Sequence, residues 1–237
     1  MAGDLTNCAS GRSQRRQQVM LELTLPRAKG RPTRILCVGA HCDDIEIGCG
    51  GTLLKLLGGR GAWEVTWAVF STEEARAREL RASAQRFLKG ARRTRLLAFQ
   101  FTDSFFPGEY TAIKRTFATL TRLPPPDIVF THERADLHQD HRLLAELSWN
   151  AFRSHLLLEY EIPKYEGGLS TPNALVPLSS AQAAAKVRAL LQSYPSQRAK
   201  PWFRAETFNA LMRLRGVEAG AGSGWAEGFH AAKFHVA

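Results

Sequence analysis

Two short segments, far apart in the sequence, concentrate residues that can bind a metal or transfer a proton: His41, Asp43 and Asp44 in the first, and His138, Asp140 and His141 in the second. Imidazole and carboxylate groups are typical ligands of a catalytic zinc ion, which takes three protein ligands and keeps a fourth position open. The same groups serve as general acids and bases. Together the two segments predict a metal site with acid–base groups beside it.

Each of these segments directly follows a predicted strand. Residues 35–40 form a nearly continuous apolar run, which is typical of a strand buried on both faces of a parallel sheet, and residues 127–131 end in the same way. Open α/β sheets bind their ligands outside the carboxyl ends of the strands. The two segments therefore meet if their strands flank one crevice. Taken singly, the first segment is more typical of a capped turn than of a metal site, and the second is ambiguous.

Strands and helices alternate along the first part of the chain. Strands are predicted at residues 35–40, 63–70, 94–101 and 127–131, and helices at residues 52–57, 73–88, 112–123 and 140–153. This alternation predicts a Rossmann-like α/β fold with a doubly wound, mostly parallel sheet in a single domain. Less regular patterns predict strands at residues 21–25, 156–162 and 229–236, helices at 181–192 and 204–214, and a mobile glycine-rich loop or lid at 216–228.

Length and composition are those of one globular domain. The 237 residues are 44% hydrophobic and 23% charged, which fits a single domain over residues 20–237, preceded by a flexible basic tail at residues 1–19. No apolar run is long enough to span a membrane, and no apolar stretch follows the basic N-terminus as in a secretory signal. The four cysteines form no Cys-x-x-Cys pair, which favours reduced thiols. We therefore expect a cytoplasmic protein.

The net charge of +10 raises the question of an anionic partner. Nucleic acid, phospholipid and a phosphorylated substrate all fit this sign of charge. The excess is spread over residues 12–16, 76–95 and 198–215, which favours an ordinary solvated surface over a nucleic-acid-binding patch. We expect a small-molecule substrate and no nucleic acid. The sequence sets no oligomeric state, and a homo-oligomer is compatible with it.

The two histidine and aspartate segments, considered together, resemble the PIG-L/LmbE family of zinc-dependent de-N-acetylases. The first motif of that family is Ala-His-Pro-Asp-Asp, and this chain has Ala-His-Cys-Asp-Asp at residues 40–44. The second motif is His-x-Asp-His, which matches His-Gln-Asp-His at residues 138–141. The similarity continues through residues 45–53 and 194–197 and spans roughly residues 34–236. The pair of motifs is specific, although neither motif is specific alone.

The resemblance implies a role for each motif residue. Three residues would be the zinc ligands, namely His41, Asp44 and His141. Asp43 would be the general base, and His138 would stabilise the oxyanion or protonate the leaving amine, with Asp140 orienting its ring. The implied reaction removes an N-acetyl or related acyl group from an N-acetylglucosamine-type sugar, a sugar conjugate or a natural product. Zinc would supply polarisation of the amide carbonyl and a more acidic water.

One residue departs from the family motif, because Cys42 stands where the family has proline. Proline would fix the backbone φ angle in the ligand loop, and cysteine does not. The Cys42 sulfur could bind the metal or serve as an oxidation-sensitive group. A side chain that points into the packed interior is the more economical expectation for a neighbour of two site residues.

Three further residues are candidates for contact with the substrate. Arg76 follows the second predicted strand and Asp103 follows the third. A solvated helix face is the favoured interpretation of Arg76, and a simple turn would explain Asp103 equally well. His230 lies near the C-terminus and could reach the site within the chain or across a subunit interface. His132 is interpreted as an ordinary surface or capping histidine. The glycines from Gly48 to Gly51 do not match the Gly-x-Gly-x-x-Gly spacing of a dinucleotide site.

Two other functions remain open from the residues alone. A glycosyl or nucleotidyl transferase could hold magnesium on a diphosphate through Asp43 and Asp44, but a pair of histidines favours zinc over magnesium. A non-catalytic glycan-binding protein could retain the fold, but binding alone does not require the base and acid at Asp43 and His138. Release of amine from an N-acetylated ligand distinguishes the three functions.

Overall fold

The structure is a computed structural model that describes residues 20–25 and 28–232. The described residues contain seven strands: β1 (Thr33–Gly39), β2 (Trp63–Val69), β3 (Arg93–Ala98), β4 (Ile128–His132), β5 (Leu156–Tyr160), β6 (Ala174–Pro177) and β7 (Ala226–Ala232). They also contain six α-helices: α1 (Asp44–Gly58), α2 (Glu74–Phe87), α3 (Tyr110–Leu120), α4 (Gln139–Ala151), α5 (Ser180–Ser193) and α6 (Ala205–Glu218). Short 3₁₀ turns lie at Phe106–Glu109 and Pro195–Gln197.

The strands form one sheet in the order β3-β2-β1-β4-β5-β7-β6. The five strands from β3 to β5 are parallel, whereas β7 is antiparallel to both β5 and β6. The chain turns outward in opposite directions from β1 and β4, so the crevice between the carboxyl ends of these neighbouring strands is the topological switch point. Both motif segments begin at this crevice.

The apolar run of β1 is buried on both faces of the sheet, as its composition predicts. Ile35 and Cys37 belong to a hydrophobic core that is shared with α1, α2, α5 and α6. Leu36 and Val38 belong to a second core that is shared with α3 and α4. Helices therefore cover both faces of the sheet, and β1 lies in its interior between β2 and β4.

The glycines of α1 allow this helix to pack very closely against the sheet. A Cβ atom on Gly48 would lie 2.1 Å from the Tyr160 ring, and one on Gly51 would lie 2.5 Å from Leu178. The glycines are thus explained by helix packing, and no nucleotide-binding role is needed for them. Close packing holds the N-terminus of α1, which carries Asp44, against the carboxyl end of β1.

A buried ion pair also holds the middle of α1. Lys186 of α5 donates to the carbonyl oxygen of Ile47 and to Glu227 of β7, both at 2.6 Å. The Glu227 carboxylate accepts hydrogen bonds from the backbone N–H groups of Gly51 and Thr52. Side chains from the C-terminal half of the chain therefore bind backbone groups inside the helix that begins at the first motif.

The predicted fold class is confirmed, with a single α/β domain and a mostly parallel sheet. The predicted strand at residues 21–25 is wrong, because these residues have no strand partner. The predicted glycine-rich loop at residues 216–228 is also largely wrong, since α6 extends to Glu218 and β7 begins at Ala226. Strand β6 was not predicted, because its four residues carry no alternating pattern. The predicted tail at residues 1–19 and the end of the predicted strand beyond residue 232 lie outside the described residues.

The described helices include none that is both long and apolar enough to cross a bilayer.

Candidate metal centre and active site

The loop after β1 and the first turn of α4 bring three potential ligand atoms together at the switch point. His41 Nδ1 lies 3.3 Å from Asp44 Oδ2 and 3.2 Å from His141 Nε2. His141 Nε2 lies 3.5 Å from Asp44 Oδ2. The three atoms form a nearly equilateral triangle, with the Asp44 and His141 side chains buried and His41 slightly exposed to the crevice.

This triangle has the size of one face of a zinc coordination tetrahedron. Ligands at about 2.0–2.2 Å from a tetrahedral zinc ion lie roughly 3.3–3.6 Å from one another. The measured separations of 3.2, 3.3 and 3.5 Å agree with that spacing. Two imidazoles with one carboxylate also form a known ligand set of catalytic zinc. The chemistry and the geometry of the three residues therefore fit a zinc ion with a fourth position left for water or substrate.

Each histidine of the triangle has a carboxylate on its other ring nitrogen. His41 Nε2 lies 3.0 Å from Asp103 Oδ1 and 3.4 Å from Asp140 Oδ2. His141 Nδ1 lies 3.0 Å from Asp136 Oδ2, which also forms an ion pair with Lys164 at 2.8 Å. Carboxylates in this position fix the tautomer and orientation of metal-binding histidines. The arrangement leaves His41 Nδ1 and His141 Nε2 facing the centre of the triangle.

The charges of these groups are strongly coupled. Burial raises the pKa of Asp44, but the nearby charges of His141, His41 and His132 outweigh burial, so that its pKa lies well below the usual value. Burial lowers the pKa of His41, and here Asp44, Asp103 and Asp140 outweigh it and raise the pKa well above the usual value.

For His141, burial and the charge of His132 outweigh the carboxylates of Asp44 and Asp136 and lower its pKa to about 3. The His141 ring is consequently neutral near pH 7, as a metal ligand must be. A metal ion, by contrast, has to displace a proton from His41, since zinc binds only the neutral ring.

Asp43 lies beside the triangle and points toward α2. Its Oδ1 atom is 3.0 Å from the Arg76 guanidinium, which also lies over the Tyr194 ring. The Asp43 and Arg76 side chains are only 6% and 17% exposed, so the pair is shielded from most of the solvent. The expectation of a solvated helix face is therefore wrong for Arg76.

Glu46 and Tyr194 form a polar layer beneath this ion pair. The Tyr194 hydroxyl oxygen lies 2.5 Å from both the carbonyl oxygen of Cys42 and a Glu46 oxygen, and its one proton is donated to one of them at a time. Ser83 donates to the same Glu46 oxygen. Burial raises the pKa of Glu46 to about 8, and the Asp43 charge acts in the same direction against the hydrogen bonds of Ser83 and Tyr194. Tyr194 belongs to the Tyr-Pro-Ser-Gln segment at residues 194–197 and ties the ligand loop to the end of α5.

His138 caps the N-terminus of α4. Its Nδ1 atom accepts a hydrogen bond from the backbone N–H of Asp140 at 3.3 Å, and its ring lies 5.1 Å from the His41 ring and 4.5 Å from the His141 ring. Because Nδ1 acts as an acceptor, the neutral ring carries its proton on Nε2. His138 can therefore donate a hydrogen bond from Nε2 next to the three ligand atoms.

The expected action of Asp140 on the His138 ring needs a correction. The Asp140 carboxylate accepts hydrogen bonds from the backbone N–H groups of Ser104 and Phe106 at 2.7 and 3.2 Å, and it lies near His41. It has no hydrogen bond to the His138 ring among the described contacts. The Asp140 backbone, rather than its side chain, holds His138, because the side chain of this first-turn residue points toward the loop after β3.

Cys42 is buried, and its sulfur lies 3.6 Å from the carbonyl oxygen of Ser71. Burial raises the pKa of its thiol to about 12, with the charges of Asp43 and Glu46 acting in the same direction and Arg76 opposing them. A thiol of this kind is neutral near pH 7, and its sulfur is directed to the Ser71 carbonyl oxygen. The interior position that the sequence favoured for this side chain agrees with the structure.

Two site residues were missed by sequence reasoning. His132 is completely buried, its ring stacks on the His141 ring at 3.9 Å, and its Nε2 atom lies 3.3 Å from Asp44. The expectation of an ordinary surface or capping histidine is therefore wrong. Asp136, the partner of His141, was not considered. Their position in the sequence could have identified them, since both residues lie between the end of β4 and the start of the second motif.

The three candidate substrate residues occupy different places. Asp103 contacts the His41 ring. The hydrogen bond with His41 keeps the pKa of the half-buried Asp103 carboxylate well below its usual value. Arg76 lies on Asp43. His230 is hydrogen-bonded to Ser170 at 2.7 Å and lies 3.4 Å from Glu133, and no described contact joins it to a residue of the ligand triangle. A role in substrate binding stays a prediction for all three.

A protein-family comparison matches the part of the chain that builds this site. The family model described as PIG-L, GlcNAc-PI de-N-acetylase, matches residues 36–152. The matched segment runs from β1 to the residue that follows α4, and it includes both motifs. It does not include α5, α6 or β7, which hold α1 from the C-terminal half of the chain.

Similar solved structures share the fold over most of the chain. A conserved protein from Thermus thermophilus is 24% identical, with 86% of this chain and 96% of that chain covered at a TM-score of 0.65. The N,N'-diacetylchitobiose deacetylase from Pyrococcus horikoshii is 20% identical, with 85% and 84% covered at a TM-score of 0.65. The 4-carboxy-2-hydroxymuconate hydratase GalB from Pseudomonas putida is 18% identical, with 86% and 98% covered at a TM-score of 0.66.

Proposed function

This chain belongs to the PIG-L family, and we propose that it is a zinc-dependent hydrolase that removes an N-acetyl or related acyl group from an N-acetylglucosamine-type sugar, sugar conjugate or natural product. The family match and the deacetylase among the structural neighbours support removal of an acetyl group from a sugar-type substrate. The proposal goes beyond that support where it names zinc as the metal, the acyl group that is removed and the class of substrate.

One observation carries the proposal. His41 Nδ1, Asp44 Oδ2 and His141 Nε2 lie 3.2–3.5 Å from one another, and an additional carboxylate and an additional imidazole stand beside them. Asp43 is held by Arg76 on one side, and His138 is held by the start of α4 on the other. Zinc held by the three atoms would supply Lewis-acid polarisation of the amide and a more acidic water.

The residues of the chain would perform the proton transfers. Asp43 takes the proton of the attacking water, and the contact of its Oδ1 atom with Arg76 at 3.0 Å holds the carboxylate in place. Positioned proton transfer of this kind contributes roughly 10² to 10⁴ in rate. His138 donates from Nε2 as charge develops on the amide oxygen or on the departing amine, and removal of one such donor lowers the rate by about 10² to 10³.

The fold alone does not select this reaction. The hydratase from Pseudomonas putida has the same architecture, and one architecture can host unrelated reactions. The transferase and glycan-binding alternatives use the same crevice. Deacetylation is favoured because the two motifs of the de-N-acetylase family occur together and because a base and a proton donor flank the candidate zinc site.

The test is release of primary amine from a panel of N-acetylated sugars and sugar conjugates. Zinc-loaded wild type is compared with Asp43→Ala and with Asp127→Ala, which removes a surface aspartate that pairs with Arg31. We expect amine from wild type and from Asp127→Ala, and a rate at least about 10²-fold lower from Asp43→Ala with zinc still bound.

Metal content separates the assigned roles. Alanine at His41, Asp44 or His141 should lower zinc content, whereas alanine at Asp43 should not. If Asp43→Ala loses its zinc while His41→Ala retains it, the roles are assigned wrongly. If zinc-loaded wild type releases no amine from any acetamido sugar but binds one of them, the glycan-binding function replaces the hydrolase.

A further inference from the structure

The loop after β3 contacts the His41 ring at two points. Asp103 Oδ1 lies 3.0 Å from His41 Nε2, and the buried Phe106 ring is stacked on the His41 ring with the centroids 6.2 Å apart. Through its other ring nitrogen, His41 contributes an atom to the ligand triangle. The conformation of this loop therefore influences the orientation of a candidate zinc ligand.

The backbone of the loop is strained between these two contacts. Ser104 has a φ of 67°, and no other non-glycine residue in the described part of the chain has a positive φ. Residues with a side chain rarely adopt this conformation, so that the surrounding contacts have to hold it. The positions of Asp103 and Phe106 thus depend on whatever stabilises the turn at Ser104.

The Asp140 carboxylate supplies that stabilisation. It is completely buried, and it accepts hydrogen bonds from the backbone N–H groups of Ser104 at 2.7 Å and of Phe106 at 3.2 Å, one at each oxygen. The side chain of Gln139 donates to the carbonyl oxygen of Ser104 at 3.1 Å. Asp140 and Gln139 both lie in the first turn of α4, so the helix that carries His141 also holds the loop that carries Asp103.

The contacts of Asp140 do not lead to the His138 ring in the same way. His138 Nδ1 accepts a hydrogen bond from the Asp140 backbone N–H, so this nitrogen has no proton to donate in the neutral ring. An ionised carboxylate can only accept hydrogen bonds. The Asp140 carboxylate therefore has no donor at His138 Nδ1, whereas it has two donors in the loop.

We propose that Asp140 is a positioning residue that holds the strained turn at Ser104 and thereby places Asp103 on His41. The inference rests on the proposed function in one respect, since it takes His41 as a zinc ligand. Asp140 Oδ2 itself lies 3.4 Å from His41 Nε2, but it is already bonded to the Ser104 N–H, and Asp103 Oδ1 is closer at 3.0 Å. Asp103 is thus the carboxylate that orients the His41 ring.

Zinc affinity, measured by competition with a chromogenic chelator, tests this role in Asp140→Asn, Asp103→Asn and the double variant. Asparagine retains the size of Asp140, but its NH₂ group cannot accept from the second loop N–H. We expect each single variant to bind zinc about tenfold or more weakly, as for other partners of metal-binding histidines. The double variant should bind no more weakly than the weaker single variant, because Asp140 acts through Asp103.

His138→Asn provides the matched background. Its side-chain oxygen can still accept from the Asp140 N–H at the start of α4, so the helix keeps a cap. Asp140→Asn should cause its full loss of affinity in this background, and Asp127→Asn at the surface should cause none. A loss that disappears in His138→Asn would mean that Asp140 acts through His138. A loss that stays undiminished in Asp103→Asn would mean that it acts directly on His41. Either result, or an unchanged affinity in Asp140→Asn, would overturn the proposal.

Ser104→Gly distinguishes positioning from a general loss of stability. Glycine adopts a positive φ without strain, so the turn then depends less on Asp140. Adding Ser104→Gly to Asp140→Asn should recover part of the lost zinc affinity, and no recovery would contradict the role of the turn.

Amine release from zinc-saturated samples keeps this inference separate from the proposed function. The expected pattern of affinities without amine release upholds the positioning role and removes the hydrolase. Amine release with an unchanged zinc affinity in Asp140→Asn does the reverse.

Discussion

At the scale of single residues, each histidine of the ligand triangle has a carboxylate at the ring nitrogen that faces away from the triangle, which is an arrangement suited to metal binding. Asp136 contacts His141 Nδ1 and Asp103 contacts His41 Nε2, both at 3.0 Å. Since a histidine that donates to a carboxylate is a stronger and better oriented ligand, these aspartates should control zinc affinity without touching the metal.

Replacement of Asp136 by asparagine should weaken zinc binding. The asparagine retains the size of the side chain but removes the charge that faces His141 and Lys164. Loss of such a partner typically lowers metal affinity about 10- to 100-fold. Zinc competition with a chromogenic chelator measures the change, and Asp127→Asn at the surface is the control. Unchanged affinity in Asp136→Asn would mean that His141 is oriented by its packing alone.

His132 allows a test of which histidines bind the metal. Asp44, His132 and His141 also offer atoms within 4.8 Å of one another, so that His132 is an alternative ligand. Its Nε2 atom, however, accepts a hydrogen bond from the backbone N–H of Ala40 at 2.9 Å. We therefore expect His132→Phe to keep one zinc per chain and to lose about 1–3 kcal/mol of stability, because the buried Ala40 N–H loses its acceptor.

Elemental analysis and urea unfolding together decide this question. His132→Gln is the matched variant, because its amide oxygen can still accept from Ala40 and should restore part of the stability. Both variants retain His41 and His141. If both nevertheless lose zinc, His132 is a ligand and the triangle must be assigned differently.

At the scale of single elements, α1 couples the first motif to the rest of the molecule. It begins at Asp44, packs on Tyr160 through Gly48 and is held in its middle by Lys186 and Glu227. Motion of this helix would displace a ligand atom of the triangle. Substitutions in α1 should therefore lower stability more than substitutions in a surface helix of the same length.

Two glycines of α1 provide a matched comparison. Gly48→Ala places a Cβ atom 2.1 Å from the Tyr160 ring, whereas Gly58→Ala meets no atom within 4 Å. We expect Gly48→Ala to lose about 1–3 kcal/mol or more through overpacking. Gly58→Ala should gain about 0.4–1 kcal/mol, since alanine restricts the unfolded chain. Denaturant unfolding of both variants measures the two values, and similar stabilities would contradict the close packing of α1.

The buried ion pair inside α1 should be costly to break from one side. Lys186→Met leaves the Glu227 carboxylate buried without its cation, and loss of one partner of a buried pair typically lowers stability by about 3–5 kcal/mol. Lys55→Met, which removes an exposed lysine whose ammonium donates to Pro177, is the control and should cost less than about 1 kcal/mol. An equally small effect of Lys186→Met would show that the Gly51 and Thr52 N–H groups alone hold Glu227.

At the scale of the whole molecule, the candidate metal centre joins residues of the two motifs across the switch point of the sheet. Residues from β1, α1 and α4 meet there, although His41 and His141 are 100 positions apart. A ligand that binds only the folded arrangement stabilises it in proportion to its concentration. Metal binding should therefore raise the stability of the entire domain.

Zinc removal should lower the melting temperature. At a free zinc concentration of 100 times the dissociation constant, binding contributes about 2.7 kcal/mol. A domain of this size then melts roughly 5–11 °C higher than the metal-free protein. Scanning calorimetry with zinc and with a chelator measures the shift, and His141→Ala should show a much smaller one. An equal shift in His141→Ala would place the stabilising metal elsewhere.

Much of the framework could be predicted from local patterns. The apolar run before His41, the helix over residues 74–87 and the strand before the second motif are all local signals, because burial on a sheet and helix periodicity are written in neighbouring residues. The short strand β6 and the absence of a strand at residues 21–25 were not predictable in this way, since pairing in a sheet depends on a partner that is distant in sequence.

The sequence by itself determined the chemistry that is available: two histidine and aspartate segments, the strand ends that carry them and the family to which they belong. Only the tertiary structure decided which nitrogen of each histidine faces the triangle, that His132 and Asp136 belong to the site, and that the Asp140 carboxylate does not hold His138. The physical reason is that side-chain direction and hydrogen-bond partners depend on atoms brought together from distant parts of the chain. Arg76 and Arg78 illustrate this, because they lie two positions apart on different faces of one helix, where Arg76 pairs with Asp43 and Arg78 is exposed to solvent.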